Sequence, residues 1–305
     1  MSSAPILFFT PAYEPMRAAL VARTGGETGA LEINYFPDGE RYARVHTAVI
    51  ARDVWLVGGT VSDMDTLLIY DLASTLVKAG VRSLTLVVPY FGYSTMERAL
   101  RPGEVVTAKT RARLLSSIPA GDIPNRVVLL DTHTEGLQHY FEGSVVPVHA
   151  TASETIVGLV DSFVPERAEL VLACTDAGRA KWVEALANRM GVGASFVFKK
   201  RLDGERTEVR AVDAQVRGKD VVVYDDMIRT GSSLIGAAEA YKAAGARAIW
   251  ALTTHGVLPA ESLAKIQRSG LFRGVGATDS HPRAVQLAGD FLRVVSCADA
   301  LCGAL

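Results

Sequence analysis

The chain has 305 residues, 49% hydrophobic and 21% charged, a balance that builds a large core and excludes a disordered or fibrous protein. Its 32 basic and 33 acidic residues leave a net charge of -1, so bulk charge gives no argument for nucleic-acid or membrane binding. Three cysteines, Cys174, Cys297 and Cys302, are too sparse for a disulfide framework or a zinc site and read as reduced thiols.

The first residues, MSSAPILFFTPAYEPM, hold a short apolar patch without a basic start, so no signal peptide is expected. No segment has the length of a membrane span, which predicts a cytoplasmic protein. DVWLVGG (53–59) reads as a strand and precedes MDTLLIYDLASTLVKAG (64–80), whose Leu and Ala recur at helical spacing. RSLTLVVPYFGY (82–93) is strand-like as far as Pro89, and RVVLLDTH (126–133) is another apolar run ending in polar residues. ELVLACTDAG (169–178), ASFVFKKR (194–201), DVVVYDD (220–226) and ARAIWALTTHG (246–256) follow, with the Ala-rich helix SSLIGAAEAYKAAGA (232–246) among them.

Continuous apolar runs alternating with helices predict an α/β protein built on mainly parallel sheets. The runs are too many for one sheet, so two α/β domains are expected, 1–148 and 149–305, with the last residues packing back on the first. The boundary falls where Pro147 and small residues interrupt the pattern. In such sheets ligands sit at the C-terminal ends of strands. Polar residues mark several of those ends: Asp131 and His133, Asp176, Lys199 to Arg201, Asp225 with Asp226, and His255.

The stretch VVVYDDMIRTGSSL (221–234) carries the most chemistry. Two carboxylates ending a buried strand cost free energy unless something compensates them. The following turn, with Thr230, Gly231, Ser232 and Ser233, can open a helix whose amides and hydroxyls converge on a phosphate. A bare TGSS reads as a capped turn; preceded by two acids it reads as a site for a phosphorylated ribose, with Asp225 and Asp226 on its hydroxyls.

That loop resembles the phosphoribosyl-diphosphate loop of the type I phosphoribosyltransferase fold. Together with FPDGERYARV (36–45), VVPYFGY (87–93), DTHTEGLQHYF (131–141) and TTHGVLP (253–259), it is similar to the ribose-phosphate diphosphokinases, or PRPP synthetases, from about residue 30 to 290. The resemblance implies two tandem phosphoribosyltransferase-like domains with twisted sheets. It also implies Mg2+, a nucleoside triphosphate and ribose 5-phosphate as small-molecule partners, and a homo-oligomer, a dimer or a dimer-based hexamer. No nucleic-acid or membrane partner is expected. The pattern ER…GEVVTA…ARLLSSIP and the stretch TDAGRAKW (175–182) are closer to class II, plant-type members, which implies a less restricted triphosphate donor and no phosphate or ADP regulation.

Residue roles follow from the same resemblance. Within FKKRLDGERTEV (198–209), Lys199 and Arg201 would be the catalytic cations, on a polar arm that follows a strand; alone, such a triplet reads as a solvated charge run. Asp131 and His133 are expected on one side of an extended segment. His133 would sit near the Mg2+–triphosphate, acting in catalysis, and Asp176 would be the second residue near the metal. FPDGERY is on physical grounds a hairpin. By resemblance it is also a purine-binding loop reaching a neighbouring subunit, with Phe36 stacking and Asp38 and Glu40 accepting hydrogen bonds. Thr95, Met96, Glu97 and Arg98 would complete the nucleotide site, with Arg101 a further triphosphate donor.

Two departures stand out. Thr95 and Met96 occupy positions where class I members have Arg and Gln, and Arg229 stands where most members have Asp. The first motivates a catalytically silent regulatory homologue as an alternative. The second reads first as a side chain pointing to solvent, and as an alternative motivates a diphosphokinase acting on a modified ribose phosphate such as ADP-ribose.

Overall fold

The computed structural model describes residues 4–175, 177–203, 206–212 and 216–305, with backbone alone for residue 177 and residues 198–203 and 206–212. The chain forms two compact units. One is Met1–Thr151 with Ala298–Leu305, the other Ala152–Cys297.

In the first unit the strands are β1 (Ile6–Phe9), β2 (Glu27–Thr28), β3 (Leu31–Tyr35), β4 (Arg41–Val45), β5 (Asp53–Val57), β6 (Ser83–Val88), β7 (Arg126–Leu130) and β8 (Val146–Ala150). Six of them make a parallel sheet in the order β2-β1-β5-β6-β7-β8, while β3 and β4 pair antiparallel as a hairpin. Strands buried on both faces need no alternation, which is why Leu84 to Val88 are all buried. Helices α1 (Arg17–Thr24), α2 (Asp63–Lys78) and α3 (Thr107–Ser116) belong to the same unit. The Ser62 hydroxyl accepts from the Asp65 N–H at 3.1 Å and starts α2, and Asp63 and Asp65 suit its positive end. Leu68, Ile69, Leu72, Ala73 and Leu76 form its buried face at helical spacing.

The second unit holds β9 (Leu170–Cys174), β10 (Gly193–Ser195), β11 (Val197–Asp203), β12 (Arg206–Val212), β13 (Asp220–Ile228), β14 (Ala248–Gly256), β15 (Val275–Thr278) and β16 (Leu292–Val295). Its parallel sheet runs β10-β9-β13-β14-β15-β16. The helices are α4 (Ser153–Phe163), α5 (Ala180–Met190), α6 (Ser232–Ala243), α7 (Ser262–Arg268) and α8 (Pro282–Gln286). A last helix, α9 (Ala298–Gly303), belongs to the first unit, where Asp299 pairs with Arg23 of α1 at 2.7 Å. Among the described residues no helix is long and apolar enough to cross a membrane.

Two local expectations are corrected. The run 194–201 is not one strand: β10 pairs with β9 for three residues, and from Val197 the chain pairs antiparallel with β12 instead. Lys199 to Arg201 therefore lie inside a two-stranded ribbon, opposite Val209, Glu208 and Thr207, rather than after the end of a strand in the parallel sheet. The segment 131–133 is also not extended. Asp131 has φ +36°, a left-handed backbone, so strand alternation does not carry from Asp131 to His133.

Candidate active site

β13 continues to Ile228, paired with β14 to Gly256, so both acids stand inside the strand near its C-terminal end. Arg229 and Thr230 follow, and Gly231 turns the chain at φ 72° into α6. The first amides of a helix have no carbonyl partner within it, and its dipole favours an anion there. Ser232, exposed at the start of α6, receives hydrogen bonds from Thr230 Oγ1 at 3.4 Å and from Lys265 Nζ of α7 at 2.8 Å. Arg229, Thr230, Ser232 and Ser233 are exposed, while Gly231 is buried against α7. The loop thus collects donors and positive charge on its outer side.

The two acids differ. Asp225 is half-buried; its Oδ2 accepts from Thr175 Oγ1 at 2.8 Å and its Oδ1 from the Asp226 N–H at 3.0 Å. Asp226 is buried, its side chain 3% exposed, and Arg179 reaches both its oxygens: Nη2 to Oδ2 at 2.6 Å and Nε to Oδ1 at 3.1 Å. Burial alone would lower the Arg179 pKa, but the charge of Asp226, its hydrogen bond, and Tyr224 and Asp225 raise it overall. A protein cation therefore supplies the compensation a buried carboxylate needs. Sequence reasoning did not single out Arg179. The available signal was a cation at the start of the helix that follows a neighbouring strand.

Elsewhere in the second unit, Lys199 and Arg201 lie on β11, and Asp176 falls outside the described residues. His255 is the penultimate residue of β14, at its C-terminal end as expected, but it is buried there with Nδ1 2.8 Å from Ser280 Oγ.

His133 belongs to the first unit, half-buried after β7, beside Thr132, whose hydroxyl donates to the Thr134 carbonyl at 3.0 Å. The turn of the β3–β4 hairpin is closed by Phe36 N–H to the Glu40 carbonyl at 2.8 Å and by Glu40 N–H to Asp38 Oδ1 at 3.0 Å. Phe36 is 53% exposed at its tip, which leaves its ring face to be covered. Thr95, Met96 and Arg98 are exposed on the segment after β6. Glu97 is half-buried and pairs with Arg98, Oε1 to Nε 3.5 Å. Among the described residues no three His, Cys, Asp or Glu side chains group to hold a metal ion.

A family model described as the N-terminal domain of ribose phosphate pyrophosphokinase matches residues 6–118, and one described as a phosphoribosyl synthetase-associated domain matches 171–304. Ribose-phosphate pyrophosphokinase 2, chloroplastic, of Oryza sativa subsp. japonica is 30% identical over 90% of this chain and 67% of its own length. The ribose-phosphate pyrophosphokinase of Methanothermobacter thermautotrophicus (strain Delta H) is 32% identical over 82% of this chain and 84% of its own. The phosphoribosylpyrophosphate synthetase of Mycobacterium smegmatis has the same fold, with a TM-score of 0.85 at 24% identity over 98% of this chain and 97% of that one. Two consecutive domain matches and relatives similar along most of their length show that the chain belongs to the ribose-phosphate pyrophosphokinase family.

Proposed function

We propose that the chain is a homo-oligomeric, Mg2+-dependent ribose-phosphate diphosphokinase. The C1 hydroxyl oxygen of ribose 5-phosphate attacks the β-phosphorus of a nucleoside triphosphate. The bond from that phosphorus to the oxygen shared with the α-phosphate breaks. The nucleoside monophosphate leaves, AMP when the donor is ATP, the hydroxyl proton is released, and PRPP is formed.

The observation that carries this reading is the unit from β13 to α6: acids near a strand end, then a loop with hydroxyl and cationic donors at a helix N-terminus. It suits a sugar with hydroxyls at one end and a phosphate at the other. The 5-phosphate is assigned to Arg229, Thr230, Gly231, Ser232 and Ser233, and the ribose hydroxyls to the Asp225–Asp226 end. Lys199 and Arg201 are assigned to the negative charge that develops on the transferring diphosphoryl group, in a reaction that asks for positioning and electrostatics. Phe36, Asp38 and Glu40, with Thr95, Met96, Glu97 and Arg98, are assigned to the nucleotide. The hairpin tip acting on a neighbouring subunit is the reason for the oligomer.

Mg2+ is a hard cation that keeps waters and phosphate oxygens as ligands and asks for few protein donors. His133 and Asp176 are the residues assigned to it, and when bound it neutralises charge on the phosphates. Cys174, Cys297 and Cys302 form no disulfide among the described residues, which suits a reducing compartment such as the cytoplasm.

The test is joint quantification of AMP and PRPP from purified protein, Mg2+, ATP and ribose 5-phosphate. Equal, acceptor-dependent appearance of both is expected, and a panel of triphosphates then tests the class II reading. No product with any triphosphate would point first to an enzyme acting on a modified acceptor and second to the silent regulatory homologue. A second reading, an acceptor with more phosphate at its 5′ end such as ADP-ribose, rests on exposed Arg229 and on Lys265, which donates to Ser232 of the same loop. Higher efficiency on ribose 5-phosphate than on ADP-ribose disposes of it.

A further inference from the structure

The acid pair near the C-terminal end of β13 is split by its surroundings. Successive strand residues point to opposite faces, so Tyr224 and Asp226 share one face and Asp225 takes the other. Near the start of α5, Arg179 and Trp182, three residues apart, meet that first pair. Arg179 forks both oxygens of Asp226, and the Trp182 ring stacks on Tyr224 at 4.0 Å and 14°. Tyr224 is anchored in turn, its hydroxyl 2.9 Å from Thr254 Oγ1. This double clasp fixes α5 against the strand end, and it covers Asp226 until its side chain is 3% exposed. Asp225 remains half-buried, oriented by the Thr175 hydroxyl and the Asp226 amide.

We propose that Arg179 is a positioning residue: by holding Asp226 inside the protein as a neutralised pair, it fixes the strand end so that Asp225 is the carboxylate that meets the ribose hydroxyls of the acceptor. This rests on the function proposed above and divides the roles of the two acids. A vicinal diol then meets one carboxylate instead of two. Asp226 acts through the backbone it shares with Asp225, whose Oδ1 accepts from the Asp226 amide. Without Arg179, the covered Asp226 charge loses its partner and the strand end must rearrange to bring it to water.

The experiment compares the wild type with R179Q, R179K, D226N and R179Q/D226N. It reads kcat, the KM of each substrate, the thermal midpoint, and calorimetric binding of ribose 5-phosphate without triphosphate. R179Q is expected to raise the acceptor KM about tenfold or more through misplacement of Asp225, with no comparable change in the triphosphate KM. R179K, which keeps the charge and loses the fork, should recover part of the loss. The double variant should bind acceptor better than R179Q, because it removes the stranded charge together with its partner. If R179Q does not fold, R179K against the wild type and the double variant against D226N carry the comparison.

Acceptor binding by R179Q equal to wild type would overturn the proposal. So would a double variant no better than the singles, which would mean that Asp226 itself touches the acceptor. Binding of ribose 5-phosphate that weakens in R179Q, in a wild type that releases no AMP, would refute the diphosphokinase reading and leave this inference standing. A wild type that does not bind ribose 5-phosphate would end both.

Discussion

A Cβ on Gly231 would stand 2.6 Å from Ile266 Cγ1 and 2.8 Å from its Cδ1. Gly231 also has φ 72°, where an L side chain costs about 1–2 kcal/mol. Ile266 is fully buried on α7, the helix that carries Lys265 to Ser232, so it cannot simply swing aside. Gly231→Ala is therefore expected to destabilise the protein by about 2 kcal/mol or more, from backbone strain plus overpacking. It should also weaken acceptor binding, because displacing Ile266 shifts α7 and with it Lys265, which donates to Ser232 of the loop. Denaturant unfolding with a ribose 5-phosphate titration checks this. A second change, Ile266→Ala, relieves the collision and leaves the φ strain, so it should return only part of any loss specific to the loop. An unchanged unfolding midpoint in Gly231→Ala would contradict the packing described.

Lys199 lies on β11 opposite Val209, in a ribbon outside the parallel sheet. The proposed role is charge stabilisation in the transition state alone. Lys199→Ala should then lower kcat by about 100- to 1000-fold, the scale of losing one preorganised electrostatic contact. Ribose 5-phosphate binding, read by calorimetry, should change little. Turnover near wild type would remove Lys199 from the mechanism.

His281 precedes α8, and its Nδ1 accepts the Arg283 N–H at 3.1 Å. Burial, then the charges of His255 and Arg283, push its pKa down from 6.5 to about 4. The unfolded chain thus binds the proton more readily between those two values, and stability rises with pH across that window. Above it the group makes no difference. As pH falls through it, the cost grows to about 3 kcal/mol, at about 1.4 kcal/mol per unit. Protonating Nδ1 would also remove the acceptor of the Arg283 amide. His281→Asn keeps a capping acceptor without the titration. The difference in unfolding free energy between pH 7 and pH 4.5 should shrink in that variant, and an equal difference in both proteins would count against His281 as its source.

The sequence by itself determined the α/β class and the alternation of strand and helix, because strands covered on both faces must be apolar throughout and α2 must repeat its buried face at helical spacing. The loop at 229–233 was legible for a similar reason: a left-handed glycine followed by hydroxyls is a local requirement of that turn. Only the tertiary structure decided what meets across the fold. Arg179 and Asp226 are 47 residues apart, and Lys265 and Ser232 are 33 apart. Nor could the run at 194–201 reveal that its strand breaks after Ser195 to form a ribbon with β12. Periodicity reports the neighbours a residue has within its own helix or strand. The partner of a buried charge is set by which elements the crossovers bring side by side, and that choice is made by packing the whole unit.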